Sequence, residues 1–237
     1  MKINEKYALL TGVSGGIGKF LLQSLLDSGV YVIGTSKQGK KLEGIKSEFK
    51  NYENKLYLIP ADLSQISEVK ELCSVIKSKI GHIDIIINNA GIFHFKKLKE
   101  ITDKMVFDSF MVNVQAPMLI CRSFTSSMIE NKWGRIINIC SSSAYNGGGT
   151  PRHCVYSSTK HALLGFSRAL DEELRQYNIR VGSVSPAGVK TDMVKNRDDL
   201  DSNTFMSPQF VADAVMFLLL SDGPGIIYEL YIHRLNR

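Results

Sequence analysis

The chain has 237 residues, 44% hydrophobic and 22% charged, the composition of an ordinary soluble globular protein with room for a sizeable α/β core. Its longest apolar runs, such as Val215-Met216-Phe217-Leu218-Leu219-Leu220, fall far short of the ~20 residues that span a bilayer, so no membrane partner is expected. The net charge of +6 is spread along the chain, with a modest cluster at residues 37–50 and no nucleic-acid motif, so it reads as a solvated basic surface rather than a nucleic-acid footprint.

In chain order, Tyr7-Ala8-Leu9-Leu10-Thr11 reads as a first strand, and an apolar-periodic helix follows over about residues 16–28. Between them lies Thr11-Gly12-Val13-Ser14-Gly15-Gly16-Ile17-Gly18. Glycines after a strand and opening a helix allow a tight turn and a close approach of backbone to a pyrophosphate. The helix N-terminus adds free N–H groups and a partial positive charge. Gly12, Ser14, Gly16, Ile17 and Gly18 are therefore candidate cofactor contacts.

The second strand, residues 30–34, runs into Thr35-Ser36-Lys37. A site for NAD usually carries Asp or Glu here to bond the ribose 2′-hydroxyl. This chain offers a hydroxyl at Ser36 and a cation at Lys37, a pair suited to a 2′-phosphate, so NADP(H) is expected in preference to NAD(H).

A third strand at 55–59 leads to Ala61-Asp62-Leu63, and a fourth at 83–87 leads to Asn88-Asn89-Ala90-Gly91. A fifth at 135–139 precedes Cys140-Ser141, a sixth covers 179–184, and a seventh covers 226–232. Strands alternating with helix-length segments argue for an α/β fold with a parallel sheet covered on both faces. No repeat, low-complexity tract or linker divides the chain, so a single domain over residues 1–237 is expected. The cysteines at 73, 121, 140 and 154 have no paired or metal-ligand spacing and read as buried free thiols, with no metal site. Residues 1–6 show no signal-peptide pattern, and a cytoplasmic location is expected.

Residues 155–177 read as a helix on which Tyr156 and Lys160 share one face. A tyrosine titrates near pH 10 in water. A nearby ammonium favours the phenolate and makes the phenol a usable general acid or base. Such a pair also arises by chance on helix surfaces, so its weight depends on the company it keeps.

That company is specific. The glycine turn, the Asn88-Asn89-Ala90-Gly91 run and the Tyr156…Lys160 pair occur in the order seen in short-chain dehydrogenases/reductases, and the chain resembles that family over nearly its full length. The glycines fit both the classical branch and the longer epimerase-type branch, while chain length and the intact Asn-Asn-Ala-Gly run favour the classical one. The resemblance implies a Rossmann-type, doubly wound, mostly parallel seven-stranded sheet, with a short substrate lid at about 192–206. It implies that Asp62, with Leu63 beside it, bonds the adenine amino group, and that Asn89, Ala90 and Gly91 lie beside the adenine ribose. Asn113 matches the helix-bend asparagine that holds a water contacting the catalytic lysine, and Lys160 also bonds the nicotinamide ribose.

The family's serine has two candidates. Counting from the fifth strand reaches Ser141, whereas counting back from Tyr156 by the usual interval of about thirteen residues reaches Ser143. A strand fixes geometry, and the loop-like Asn146-Gly147-Gly148-Gly149-Thr150-Pro151 can absorb extra residues, so Ser141 is preferred. Ser185-Pro186-Ala187-Gly188-Val189-Lys190-Thr191 resembles the segment around the nicotinamide, with Pro186, Val189 and Thr191 as contacts and Ala187 where a glycine is usual.

The implied activity is reversible hydride transfer between NADP(H) and a carbonyl/secondary alcohol pair, with Asn113, Ser141, Tyr156 and Lys160 as the catalytic set. Two other readings are a non-catalytic NADP(H) sensor, disfavoured by the intact set, and a nucleotide-sugar epimerase or dehydratase, disfavoured by the lack of a substrate domain. The short lid, about fifteen residues between Thr191 and the helix start at Ser207-Pro208, argues against an acyl-carrier substrate. So does a C-terminus, Tyr228-Glu229-Leu230-Tyr231-Ile232-His233-Arg234, without the family's glycine-rich ending. His94, Phe93, Phe95, Tyr145, Arg152, His153 and Met193 are candidate pocket residues for a small-molecule substrate. The resemblance also implies a homodimer or homotetramer built on the helices that carry Asn113 and Tyr156.

Overall fold

Alternating side chains along short apolar strands decide the architecture. The structure, a computed structural model, describes residues 3–145, 151–195 and 202–234. Its seven strands are β1 (Tyr7–Thr11), β2 (Tyr31–Ser36), β3 (Leu56–Pro60), β4 (Ile85–Asn88), β5 (Gly134–Ile139), β6 (Ile179–Pro186) and β7 (Glu229–Ile232). They form one sheet in the order β3-β2-β1-β4-β5-β6-β7, with every pairing parallel. The helices are α1 (Gly16–Asp27), α2 (Gly39–Glu48), α3 (Ile66–Lys79), α4 (Asp103–Phe110), α5 (Ala116–Glu130), α6 (Cys154–Leu174) and α7 (Pro208–Leu220).

Successive residues of a strand point to opposite faces, and the two cores follow that alternation. Ala8, Leu10, Ile85, Ile87, Ile137 and Ile139 pack with α1, α2 and α7 on one face. Leu9, Ile33, Ile86 and Ile136 pack with α3 and α5 on the other. On α1 the buried stripe is Leu21, Leu22, Leu25 and Leu26, each side chain worth about 1.5–3 kcal/mol in burial. The helix stops where Gly29 takes φ +82° and donates its N–H to Leu26 O at 2.9 Å.

The second strand begins one residue later than its apolar run, because the Val30 N–H closes the end of α1 on Leu25 O. It continues to Ser36, which pairs with Pro60 of β3. The seventh strand is shorter than expected and begins only at Glu229. The long helix ends at Leu174, with a 3-10 turn over Arg175–Tyr177. Cys154, at the head of α6, is exposed, unlike the other three thiols, which are buried as expected. A π-helical turn, Met111–Gln115, joins α4 to α5 and supplies the bend expected at Asn113.

The loop at 146–150 and residues 196–201 of the expected lid lie outside the described residues. On either side of the latter, short 3-10 turns at Asp192–Val194 and Ser202–Thr204 are held by a parallel bridge between Val189 and Met206. Among the described residues no helix is long and apolar enough to cross a membrane.

Candidate active site

In a parallel sheet all strands end on the same side, and the strand order reverses here between β1 and β4. Ligands of open α/β sheets bind in the crevice at such a switch point. A cavity of about 720 Å³ opens there, lined by the ends of β1, β2, β4, β5 and β6 and by the loops that follow β3 and the other strands.

The glycine turn forms its nucleotide end. Gly12 has φ +67°, and a Cβ on it would lie 2.9 Å from Ala90 Cα. A Cβ on Gly18 would lie 2.1 Å from Gly12 O, so neither position admits a side chain without moving backbone. Asn89 buttresses the turn by donating from Nδ2 to Thr11 O at 2.9 Å and Gly12 O at 3.1 Å. Thr11 Oγ1 in return accepts the N–H groups of Asn89 and Ala90, both at 3.0 Å. Gly15 caps α1 without a side-chain hydrogen bond, and no acid occupies the first turn. That helix end fits an anion: its N–H groups are uncapped by side chains, and the glycines leave a cradle that Cβ atoms would fill.

At the end of β2 the hydroxyls of Ser14 and Ser36 lie 2.7 Å apart. Lys37 is mostly exposed and its Nζ is 2.7 Å from Asp62 Oδ2. Asp62 Oδ1 accepts from Ser64 N and Oγ at 3.0 and 2.8 Å. Burial opposes charge on this carboxylate, but Lys37 and the Ser64 donors outweigh it and hold Asp62 below the usual carboxylate range. The hydrogen bond to Asp62 in turn raises Lys37. Lys41, on the first turns of α2, also lines this end and was not singled out from the sequence. The signal for it was the basic cluster at residues 37–50, which begins at the lysine already singled out.

At the other end, Lys160 is 4% exposed and donates from Nζ to Ile139 O, the last carbonyl of β5, at 2.8 Å. Burial lowers its pKa below the usual lysine range. Its ammonium is 5.7 Å from the centre of the Tyr156 ring. Asn113 is fully buried, accepts from Ile92 N at 2.8 Å, and donates to Ile92 O and Thr159 Oγ1, each at 3.0 Å. Its amide therefore clamps the loop after β4 to α6. A Cβ on Gly91 would sit 3.3 Å from Asn113 Oδ1 and 3.7 Å from Lys160 Nζ, so these groups meet around one bare backbone position.

Ser141 and Ser143 both line the cavity. Ser141 Oγ accepts from Ser143 N at 3.1 Å, which orients the hydroxyl and leaves its proton to donate elsewhere. Phe93, His94, His153 and Met193 line the mouth, and the Phe93 ring stands edge-on to Tyr156 at 4.8 Å and to His153 at 4.9 Å. Phe95 and Arg152 are not among the lining residues: Phe95 stands edge-on to His153, and Arg152 lies over the Phe95 ring. Tyr145 is not a lining residue either; its ring stacks on Tyr231 of β7. Asp62, Leu63, Ala90, Gly91, Pro186, Val189 and Thr191 all reach the cavity, and a Cβ on Gly16 would lie 2.6 Å from Thr191 Cγ2, so that threonine closes over the glycine turn.

The family model described as short chain dehydrogenase matches residues 6–201. A 3-oxoacyl-acyl-carrier-protein reductase of Haemophilus influenzae is 32% identical over 237 aligned residues, covering 96% of each chain. The enzyme of the same description from Aquifex aeolicus is 30% identical over 228, covering 92% of this chain and 91% of the relative. Among solved structures, a metagenomic short-chain oxidoreductase in complex with NADP superposes with a TM-score of 0.84 at 26% identity, covering both chains completely.

Proposed function

Because the chain belongs to the short-chain dehydrogenase family, we propose that it is an NADP(H)-dependent oxidoreductase interconverting a small carbonyl compound and a secondary alcohol, with Tyr156 as general acid/base. The observation that carries this reading is the meeting of Tyr156 with a buried lysine in the same cavity that holds an uncapped helix end and the Ser36–Lys37 pair.

When bound, NADP(H) would supply or accept the hydride. Gly12, Gly16, Ile17 and Gly18 would hold its pyrophosphate through backbone N–H groups and the α1 terminus. Ser14, Ser36, Lys37 and Lys41 would hold a 2′-phosphate, for which Lys37 would exchange its Asp62 partner. The structure of the metagenomic relative in complex with NADP favours the same cofactor.

In the reducing direction Tyr156 gives its phenolic proton to the developing alkoxide. Ser141 Oγ donates to the same oxygen and so holds the carbonyl, with Ser143 the rival for that role. Lys160 favours the phenolate left behind, because its ammonium stands 5.7 Å from the centre of the Tyr156 ring and a nearby cation stabilises that anion. The Ile139 carbonyl accepts one Lys160 proton and fixes the direction of the ammonium. Both donors of the Asn113 amide are engaged with protein, so a water held by this residue would donate to one of its oxygens.

A panel of carbonyl and alcohol compounds screened with NADPH and NADH, followed by the near-ultraviolet absorbance of reduced nicotinamide, tests the reading. Turnover with NADPH is expected, and Tyr156→Phe should lower it by roughly 10²- to 10⁴-fold while NADPH affinity is kept. Tight NADPH binding with no turnover across the panel would replace the enzyme by a cofactor sensor.

A further inference from the structure

The C-terminal strand has no part in the chemistry above, yet it touches three segments of the site. The Ala187 N–H donates to Ile232 O at 2.9 Å, which ties the turn after β6 to β7. Tyr145 Oη donates to Glu229 Oε2 at 2.7 Å, and the Tyr145 ring stacks on Tyr231 with centres 4.5 Å apart. Arg168 of α6 grips the same carboxylate through Nε on Oε1 and through a terminal nitrogen on Oε2 at 3.0 Å. The Arg168 guanidinium holds Glu229 below the usual carboxylate range against the opposing effect of burial, with Tyr145 adding to the lowering.

The positions of these partners matter. Tyr145 directly follows the single 3-10 turn Ser142–Ala144, whose N-cap is Ser141, and that turn is closed by Ala144 N on Ser141 O at 3.0 Å. Arg168 lies on the same helix as Tyr156 and Lys160. One carboxylate thus joins the serine-bearing turn to the tyrosine-bearing helix, from a strand that pairs with β6 in the register Ser183↔Glu229.

Building on the proposed activity, we infer that Glu229 is a positioning residue: through Tyr145 and Arg168 it sets the separation of the Ser141 turn from α6, and with it the placement of the carbonyl against Tyr156. Glu229 and Tyr231 of β7 supply this clamp. Misplacing reacting groups by about 1 Å can cost on the order of 100-fold in rate.

The test compares Glu229→Ala, Glu229→Gln and Tyr145→Phe with the full-length wild type, once a turned-over carbonyl has been found. Glu229→Ala and Tyr145→Phe should lower kcat about 10- to 100-fold with the KM for NADPH unchanged. Glu229→Gln, which keeps the shape and an acceptor oxygen, should recover most of the rate. The double variant should be no worse than the worse single one. Unchanged kcat in Glu229→Ala, additive losses, or a loss of kcat matched by an equal loss of NADPH affinity would overturn the assignment. Hydrogen exchange at the amides of residues 141–145 reads the clamp without catalysis. Faster exchange in Glu229→Ala supports the clamp even if no carbonyl is ever turned over, and unchanged exchange overturns it.

Discussion

The two ends of the sheet both carry polar groups and use them in opposite ways. At the end where strands begin, Asp84 accepts from Tyr7 N at 3.0 Å and Lys6 Nζ at 3.2 Å, with His82 3.5 Å away. Lys6 and Arg135 both stack on Trp133, and Arg180 reaches Asp222 and the carbonyls of Ser221, Gly223 and Gly225. Charge there is met by carboxylates, backbone carbonyls and an aromatic ring of the protein itself, which close that end. At the end where strands finish, an uncapped helix start, two facing hydroxyls and an exposed lysine surround an open cavity. Charged residues alone do not mark a site; polar groups that border an open cavity do.

The contrast can be broken by substitution. Asp84→Ala removes one acceptor shared by three groups at the closed end, and should cost about 3 kcal/mol of stability, read by urea unfolding. Cofactor affinity of the folded fraction should not move. Gly18→Ala at the open end forces a methyl against the Gly12 carbonyl, and an overpacking cost of roughly 1–3 kcal/mol should appear as a 5- to 150-fold loss of NADPH affinity, measured by fluorescence titration. If instead it unfolds the protein as Asp84→Ala does, the division between the ends fails. Lys37→Ala is the finest probe. It should weaken NADPH about tenfold, leave NADH unchanged, and remove part of the salt dependence of NADPH binding.

Much of this was legible beforehand, for physical reasons. Short runs of Ile and Val bounded by polar turns can be little but buried parallel strands, and a glycine turn between strand and helix fixes where phosphate would go. The bend at Asn113 was readable from the motif around it. Other features arise only when distant segments meet. Tyr145 was a reasonable pocket aromatic on its loop position, but Glu229 and Tyr231, more than eighty residues later, draw it to the far strand. The anchor of Lys160 is a backbone carbonyl, which carries no residue signature at all. Cys154 was taken as buried with the other thiols, yet it lies on the exposed side of the first turn of α6.

The buttress between Asn89 and the first turn also bears on the order in which the molecule can be assembled. β1 lies between β2, close behind it in the chain, and β4, which follows a whole further strand and helix. The carbonyls of Thr11 and Gly12 take their donors from a side chain more than seventy residues downstream. A ribosome-bound chain that has released only β1, α1, β2, α2 and β3 therefore holds a glycine turn without its support. Pairing of such sequence separation is slow to form, so a supported glycine turn is a property of the finished sheet rather than of its first βαβ unit.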